Sequence, residues 1–189
     1  MNNLHQRKKA LRKKVKTLMA SLSEANRLRQ AATVFGKLEQ MPVFREASSI
    51  MLFWSFGQEL FTHDFVKKTY MSKQVLLPVI DGADLLIKPF DGMENMKPEP
   101  HYGILEPQGK AILNAQPDII VVPGLAFDAN CNRLGRGKAF YDKLLNSSNI
   151  NATLVGIGFN EQIVDAVPVD SHDYRLDMVI TPESTFLKD

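Results

Sequence analysis

The sequence predicts an α/β fold, a layered sandwich built on a largely parallel sheet. Apolar, β-branched runs alternate with helix-like segments along most of the chain, which is the order that parallel sheets produce. One of these runs, "DIIVVPGLAF", is apolar almost throughout, as suits a strand covered on both faces. With 189 residues, 44% of them hydrophobic, the chain can build one core, and a single domain over residues 1–189 is expected.

The elements follow in order. Leu4, Leu11, Val15, Leu18 and Leu22 fall on one stripe at roughly 100° per residue, so an amphipathic helix opens the chain. Lys8 lies about 40° and Arg12 about 80° from the stripe centre, close enough to reach back over the body of the protein. Lys9, Lys13 and Lys16 point farther away and read as a solvated face. "SLSEANRLRQAATVFGKLEQM" starts a second helix, with Ser21 or Ser23 as its cap. "ASSIMLFWSF" reads as a strand ending at Gly57, and "FTHDFVKKTYMSK" as a helix capped by Thr62. "QVLLPVI" and "ADLLIKPF" are strands around an Asp-Gly turn, and Met93 to Pro107 is a long proline-rich loop. After "DIIVVPGLAF" come a helix, "KAFYDKLLNSS", a strand, "TLVGIGF", and a last short strand, "MVITP".

Composition excludes several classes. The formal charge of +2 does not demand a nucleic-acid partner. Cys131 is the only cysteine, so no internal disulfide can form, and a reducing cytoplasm is the expected setting. His5, His63, His101 and His172 lack metal-ligand spacing. No apolar run approaches the ~20 residues of a membrane helix. The basic N-terminus has no apolar signal core, and it is Lys-rich rather than Arg- and Ser-rich as transit peptides are.

Chemistry concentrates in "RLGRGKAFYDKLL", Arg133 to Leu145, at the end of the buried strand. The alternatives are a solvated turn and a phosphate site. A P-loop is excluded, because Asn132 stands where its first glycine belongs and Ala139 follows Lys138. A dinucleotide fingerprint is excluded by Phe140 at its last position. Gly135 and Gly137 among Arg133, Arg136 and Lys138, just before a helix, still suit an anion, because backbone N–H groups, helix terminus and cations all attract it.

"PGLAFDANCNRLGRGKAFYDKLL" closely resembles the signature of the 5-formyltetrahydrofolate cyclo-ligase (5,10-methenyltetrahydrofolate synthetase) family. "KKALR", "FWSFGQELFT", "GILEP" and "VPVDSHDYRLDMVIT" resemble further family segments in the same order. The resemblance implies a three-layer α/β/α sandwich like that of sugar-phosphate isomerases and CoA transferases. It implies an ATP- and Mg2+-dependent conversion of a reduced folate, 5-formyltetrahydrofolate, to 5,10-methenyltetrahydrofolate, with ADP and phosphate released. Arg133, Arg136 and Lys138 would be catalytic. Lys8, Arg12 and the run Arg133, Leu134, Gly135, Arg136, Gly137, Lys138, Ala139, Phe140 and Tyr141 would bind ATP. Trp54, Glu59 and Arg136 to Phe140 would bind the folate. Tyr102 and Ile104 in the proline-rich loop would either line the pocket or cover the sheet edge. Asp142 and Asp173 would hold the metal, with Asp170 and Asp177 as neighbouring alternatives to the latter. Asp142 is placed one helical turn beyond Lys138, so that both face the phosphates.

Two positions depart from the family pattern. Ala139 replaces a glycine, at no cost if the residue is helical, and Phe140 replaces a tyrosine. The rival readings are a different nucleotide-dependent reaction on a related scaffold, a folate- or ATP-binding paralogue without turnover, and a nucleic-acid-binding module using the basic first helix. The expected protein is a monomer without nucleic-acid or membrane partners.

Overall fold

The computed structural model describes residues 2–100, 103–147 and 150–189. Tyr102, a possible pocket residue, lies outside them. The first helix, α1 (Asn2–Ala20), buries Val15 and Met19, with Leu11 packed at their edge. Leu18, assigned to the apolar stripe, is instead 41% exposed. Met19 takes its place, one turn after Val15, and this brings Lys8 and Arg12 to the packed side. Helix α2 (Glu24–Gln40) is capped by Ser23, whose hydroxyl accepts the Asn26 N–H at 3.3 Å. A further turn, α3 (Pro42–Glu46), starts with proline at a position that needs no amide donor, and buries Phe44.

The remaining elements are β1 (Ser49–Met51), α4 (His63–Tyr70), the hairpin of β2 (Gln74–Asp81) and β3 (Asp84–Pro89), β4 (Met96–Pro98), β5 (Leu105–Pro107), β6 (Ile119–Val122), β7 (Ala126–Phe127), β8 (Arg133–Leu134), α5 (Phe140–Ser147), β9 (Thr153–Ile157), β10 (Met178–Ile180) and β11 (Thr185–Leu187). Three sequence expectations change. The proline-rich stretch is not all loop, since β4 and β5 pair antiparallel with their prolines at the ladder ends, where a missing donor matters least. "DIIVVPGLAF" is broken at Pro123 and Gly124, so its second half forms a small hairpin with β8. A short edge strand, β11, closes the sheet antiparallel to β10.

The main sheet runs β11-β10-β9-β6-β1-β2-β3, parallel across its five central strands with an antiparallel strand at each edge. Alternating side chains feed two cores. Ile50, Leu52, Val75, Ile119, Val121 and Val155 meet the helices α1 to α4. Met51, Leu76, Ile120, Val122 and Leu154 meet α5 and the 127–131 turn. This is the expected three-layer α/β/α arrangement. From β1 the chain moves outward to β2, whereas from the neighbouring β6 it moves the other way to β9. The switch point between β1 and β6 opens a crevice at their carboxyl ends, the place where open α/β sheets receive ligands. Among the described residues no helix is long and apolar enough to cross a membrane.

Phe127, fully buried, occupies the space left by missing side chains at Gly124, Gly156 and Gly158. A Cβ at Gly156 would lie 2.8 Å from its ring and 2.7 Å from Leu176. Gly156→Ala is therefore expected to destabilise the fold by about 1–3 kcal/mol in chemical denaturation. Gly36→Ala, in open space within α2, should raise stability by about 0.5–1 kcal/mol.

Candidate active site

Two loops leave the switch point and face each other. The first follows β1. Ser55 and Thr62 staple its ends together: the Ser55 N–H donates to the Thr62 hydroxyl and the Thr62 N–H to the Ser55 hydroxyl, both at 3.0 Å. The Thr62 hydroxyl also donates to the Phe53 carbonyl at 2.6 Å, so it closes this loop rather than capping α4. The closed loop presents Glu59. Trp54, half-buried, stacks on His63 at 4.0 Å between ring centroids, and the His63 Nε2 donates to the Ser55 carbonyl at 2.8 Å. Burial pushes the His63 ring below its ordinary pKa and so favours the neutral form, which still donates to Ser55.

The second loop follows β8. Its base is the buried Asp128, whose carboxylate accepts the N–H groups of Asn130, Asn132 and Val167. Cys131 sits in this turn with a left-handed φ of 61°, buried in the second core. Burial raises its thiol pKa, so the sulfur is a packing group and not a nucleophile. Arg133 is only 4% exposed, and it donates to Asp142 at 2.5 Å and to the Pro123 carbonyl at 3.2 Å. Arg136 reaches across the crevice to Glu59, Nε and Nη2 each lying 2.9 Å from Oε1. The other Glu59 oxygen accepts the Phe56 N–H, and the Arg136 guanidinium covers the Phe56 ring at 4.5 Å. Burial is the largest influence on Glu59 and raises its pKa, against the opposing pull of Arg136.

Helix α1 locks the loops together. Arg12 Nε donates to the Gly135 carbonyl at 2.9 Å. Lys8 pairs with Asp173 at 2.5 Å and Asp170 at 3.3 Å. This separates the three acidic alternatives: Asp173 and Asp170 face Lys8, whereas Asp177 accepts the Leu154 N–H and pairs with Lys188 away from the crevice. The segments of Asp142 and Asp173 adjoin, because the Asn146 amide donates to the carbonyls of both Asp142 and His172. Gly135 and Gly137 flank Arg136, the latter with φ 106°.

Several placements differ from expectation. Helix α5 starts at Phe140, so Lys138 lies outside it and does not share a helical face with Asp142. Asp142 instead pairs with Arg133, and Lys138 is exposed in the loop. Ala139 is not helical but left-handed, with φ 56°, which is the backbone region a glycine favours. Phe140 lines a cleft of about 370 Å³ with Asp84, Leu85 and Lys143. Leu134 is buried in the hairpin, and Ile104 is half-buried beside β5. One participant escaped sequence reasoning. Phe56 is the platform for Arg136. Tyr141, expected at the nucleotide, has its hydroxyl buried near the charges of Glu59 and Arg133, with no hydrogen-bond partner among the described residues.

A family model described as "5-formyltetrahydrofolate cyclo-ligase family" matches residues 4–182. A probable 5-formyltetrahydrofolate cyclo-ligase of Caenorhabditis elegans is 27% identical over 204 residues, covering 100% of this chain and 99% of its own. The 5-formyltetrahydrofolate cyclo-ligase of Mus musculus is 27% identical, covering 94% of each. The solution structure of Aquifex aeolicus 5,10-methenyltetrahydrofolate synthetase superposes with a TM-score of 0.85 at 28% identity, over 95% of this chain and 92% of that one.

The left-handed alanine is strained by about 1–2 kcal/mol relative to glycine. Ala139→Gly is expected to raise stability by about 1 kcal/mol, read as a higher urea midpoint at unchanged slope. Asp142→Asn should lower it by about 3 kcal/mol, because it strands the buried Arg133 guanidinium.

Proposed function

We propose how the crevice serves this chain, which belongs to the 5-formyltetrahydrofolate cyclo-ligase family. The protein is an enzyme that converts 5-formyltetrahydrofolate to 5,10-methenyltetrahydrofolate. ATP is the co-substrate in our reading. One observation carries the residue assignment: a half-buried carboxylate and a Gly-Arg-Gly-Lys loop meet across 2.9 Å at the switch point. In this reading the carboxylate is the pterin acceptor and the loop supplies the phosphate donors, adjacent as the reaction requires.

The formyl group on N5 is a poor electrophile with a poor leaving oxygen. Transfer of the γ-phosphoryl group to the formyl oxygen forms the O–P bond, breaks the bond to ADP and activates the carbon. N10 then attacks that carbon, its proton is lost, and the C–O bond breaks with phosphate as leaving group. The protein's part is positioning and charge neutralisation. Arg136, Lys138, Arg12 and Lys8 take the phosphates, with the loop amides of residues 135–139 around them. Arg133, held on Asp142 and Pro123, supports the loop from beneath and adds its charge to the field. Glu59 accepts the pterin N–H groups, and Trp54, braced by His63, supports that wall.

Asp142 and Asp173 offer hard oxygen donors on adjoining segments. Among the described residues no group of three or more ligating side chains gathers. The pair therefore fits a magnesium ion that arrives with the nucleotide and keeps several waters, rather than a resident ion. When bound, it supplies neutralisation of phosphate charge. The buried thiol and the absence of disulfide partners suit a reducing cytoplasm.

The direct test is absorbance at the methenyl-folate band. Product should form only when ATP and magnesium are both present, and folded protein that makes none would reject the activity. Phe140→Tyr should change kcat/KM by no more than about tenfold, the worth of one neutral hydrogen bond. A gain of several hundredfold would show that the missing hydroxyl limits the natural chain. Glu59 must be ionised to accept two N–H donors, and its pKa is raised above 4.5. Folate affinity should consequently fall as pH drops through that raised value, earlier than for an ordinary glutamate, and Glu59→Gln should flatten the profile.

A further inference from the structure

Arg136 occupies the acceptor that the folate needs. A carboxylate has about four lone-pair sites. Two guanidinium nitrogens lie at Glu59 Oε1 and the Phe56 N–H at Oε2, so three are taken. The Glu59 side chain is 11% exposed and that of Arg136 38%, so the arginine lies on the solvent side of the carboxylate. The Phe56 ring supports it there. Gly135 and Gly137 on either side give the loop backbone the freedom to swing. Arg12 and Lys138, which make no ion pair with a carboxylate among the described residues, offer an incoming anion a first foothold beside it. A triphosphate presents several oxygens to a guanidinium fork and carries more charge than one carboxylate.

We infer that Arg136 exchanges partners during the reaction: it closes over Glu59 without nucleotide and moves to the phosphates when nucleotide binds, opening Glu59 to the folate. The inference rests on the assignment of phosphates to the cationic loop and of folate to Glu59. It makes Arg136 the residue that couples the two substrates. Nucleotide tightens folate, and by linkage folate tightens nucleotide by the same factor. The exchange also favours nucleotide entering first, so that the folate is not held in a crevice without a phosphoryl donor.

Calorimetric titration of the full chain with 5-formyltetrahydrofolate tests this, with and without a saturating non-hydrolysable ATP analogue and magnesium. The native protein should bind the folate at least about fivefold more tightly with the analogue, the lower end of ordinary coupling. In Arg136→Ala the analogue should leave folate affinity unchanged within about twofold on the same scale. That variant, without the analogue, should bind folate at least as tightly as the native protein, the opposite of what loss of a supporting arginine would do. Arg136→Lys, which keeps the charge without the fork, should retain part of the coupling. A native ratio of one, or full coupling in Arg136→Ala, would overturn the exchange. So would loss of folate affinity in Arg136→Ala without nucleotide, which would make Arg136 a fixed support of Glu59. If the analogue binds but folate never does, the folate assignment of Glu59 itself fails and the exchange with it.

Discussion

Like charges cannot be gathered in a half-buried crevice without partners, and this constraint shapes the site. Lys8, Arg133 and Arg136 converge there, and each is held by a carboxylate: Asp173, Asp142 and Glu59 respectively. A cation shielded from water is costly without a counter-charge, so the free protein pairs these three internally. The same carboxylates are those proposed above for the metal and the folate. In the proposed reading, ligand binding exchanges these ion pairs for contacts to phosphate, metal and folate.

Helix α1 is the structural means to this end. Lys8 and Arg12 are one turn apart, so they share a face. Lys8 reaches the segment after β9 and Arg12 reaches the loop after β8, so one helix ties two independent connections of the sheet. Val15 and Met19 anchor that face in the core. A slip in the helix's register would therefore disturb both clamps at once. The stapled Ser55–Thr62 loop does the corresponding work for Glu59, using backbone and hydroxyl hydrogen bonds in place of charge.

Much of this was legible in the sequence because it follows from local pattern. The alternation of apolar runs and helices located the sheet, and the fully apolar β6 marked its centre. The flanking position of Lys8 and Arg12 followed from helical geometry, although Leu18 and Met19 exchanged roles because packing, not periodicity alone, selects between adjacent positions. The family signature brought Glu59, the cations and the aspartates to notice, and left Asp170, Asp173 and Asp177 unresolved. Their separation is a matter of which side chain reaches Lys8, which is tertiary information. The left-handed φ of Ala139 was also hidden, since the residue type argues against it. So was the Arg136–Glu59 pair, whose members are 77 residues apart.

The measurement that bears most directly on the account is a crystal structure of the protein with a non-hydrolysable ATP analogue and magnesium. The expected result is that Arg136 and Lys8 lie on phosphate oxygens, with Glu59 open to the crevice and Asp173 turned from Lys8 toward the metal. A bound nucleotide with the Arg136–Glu59 and Lys8–Asp173 pairs intact, at 2.9 Å and 2.5 Å as in the free protein, would contradict it.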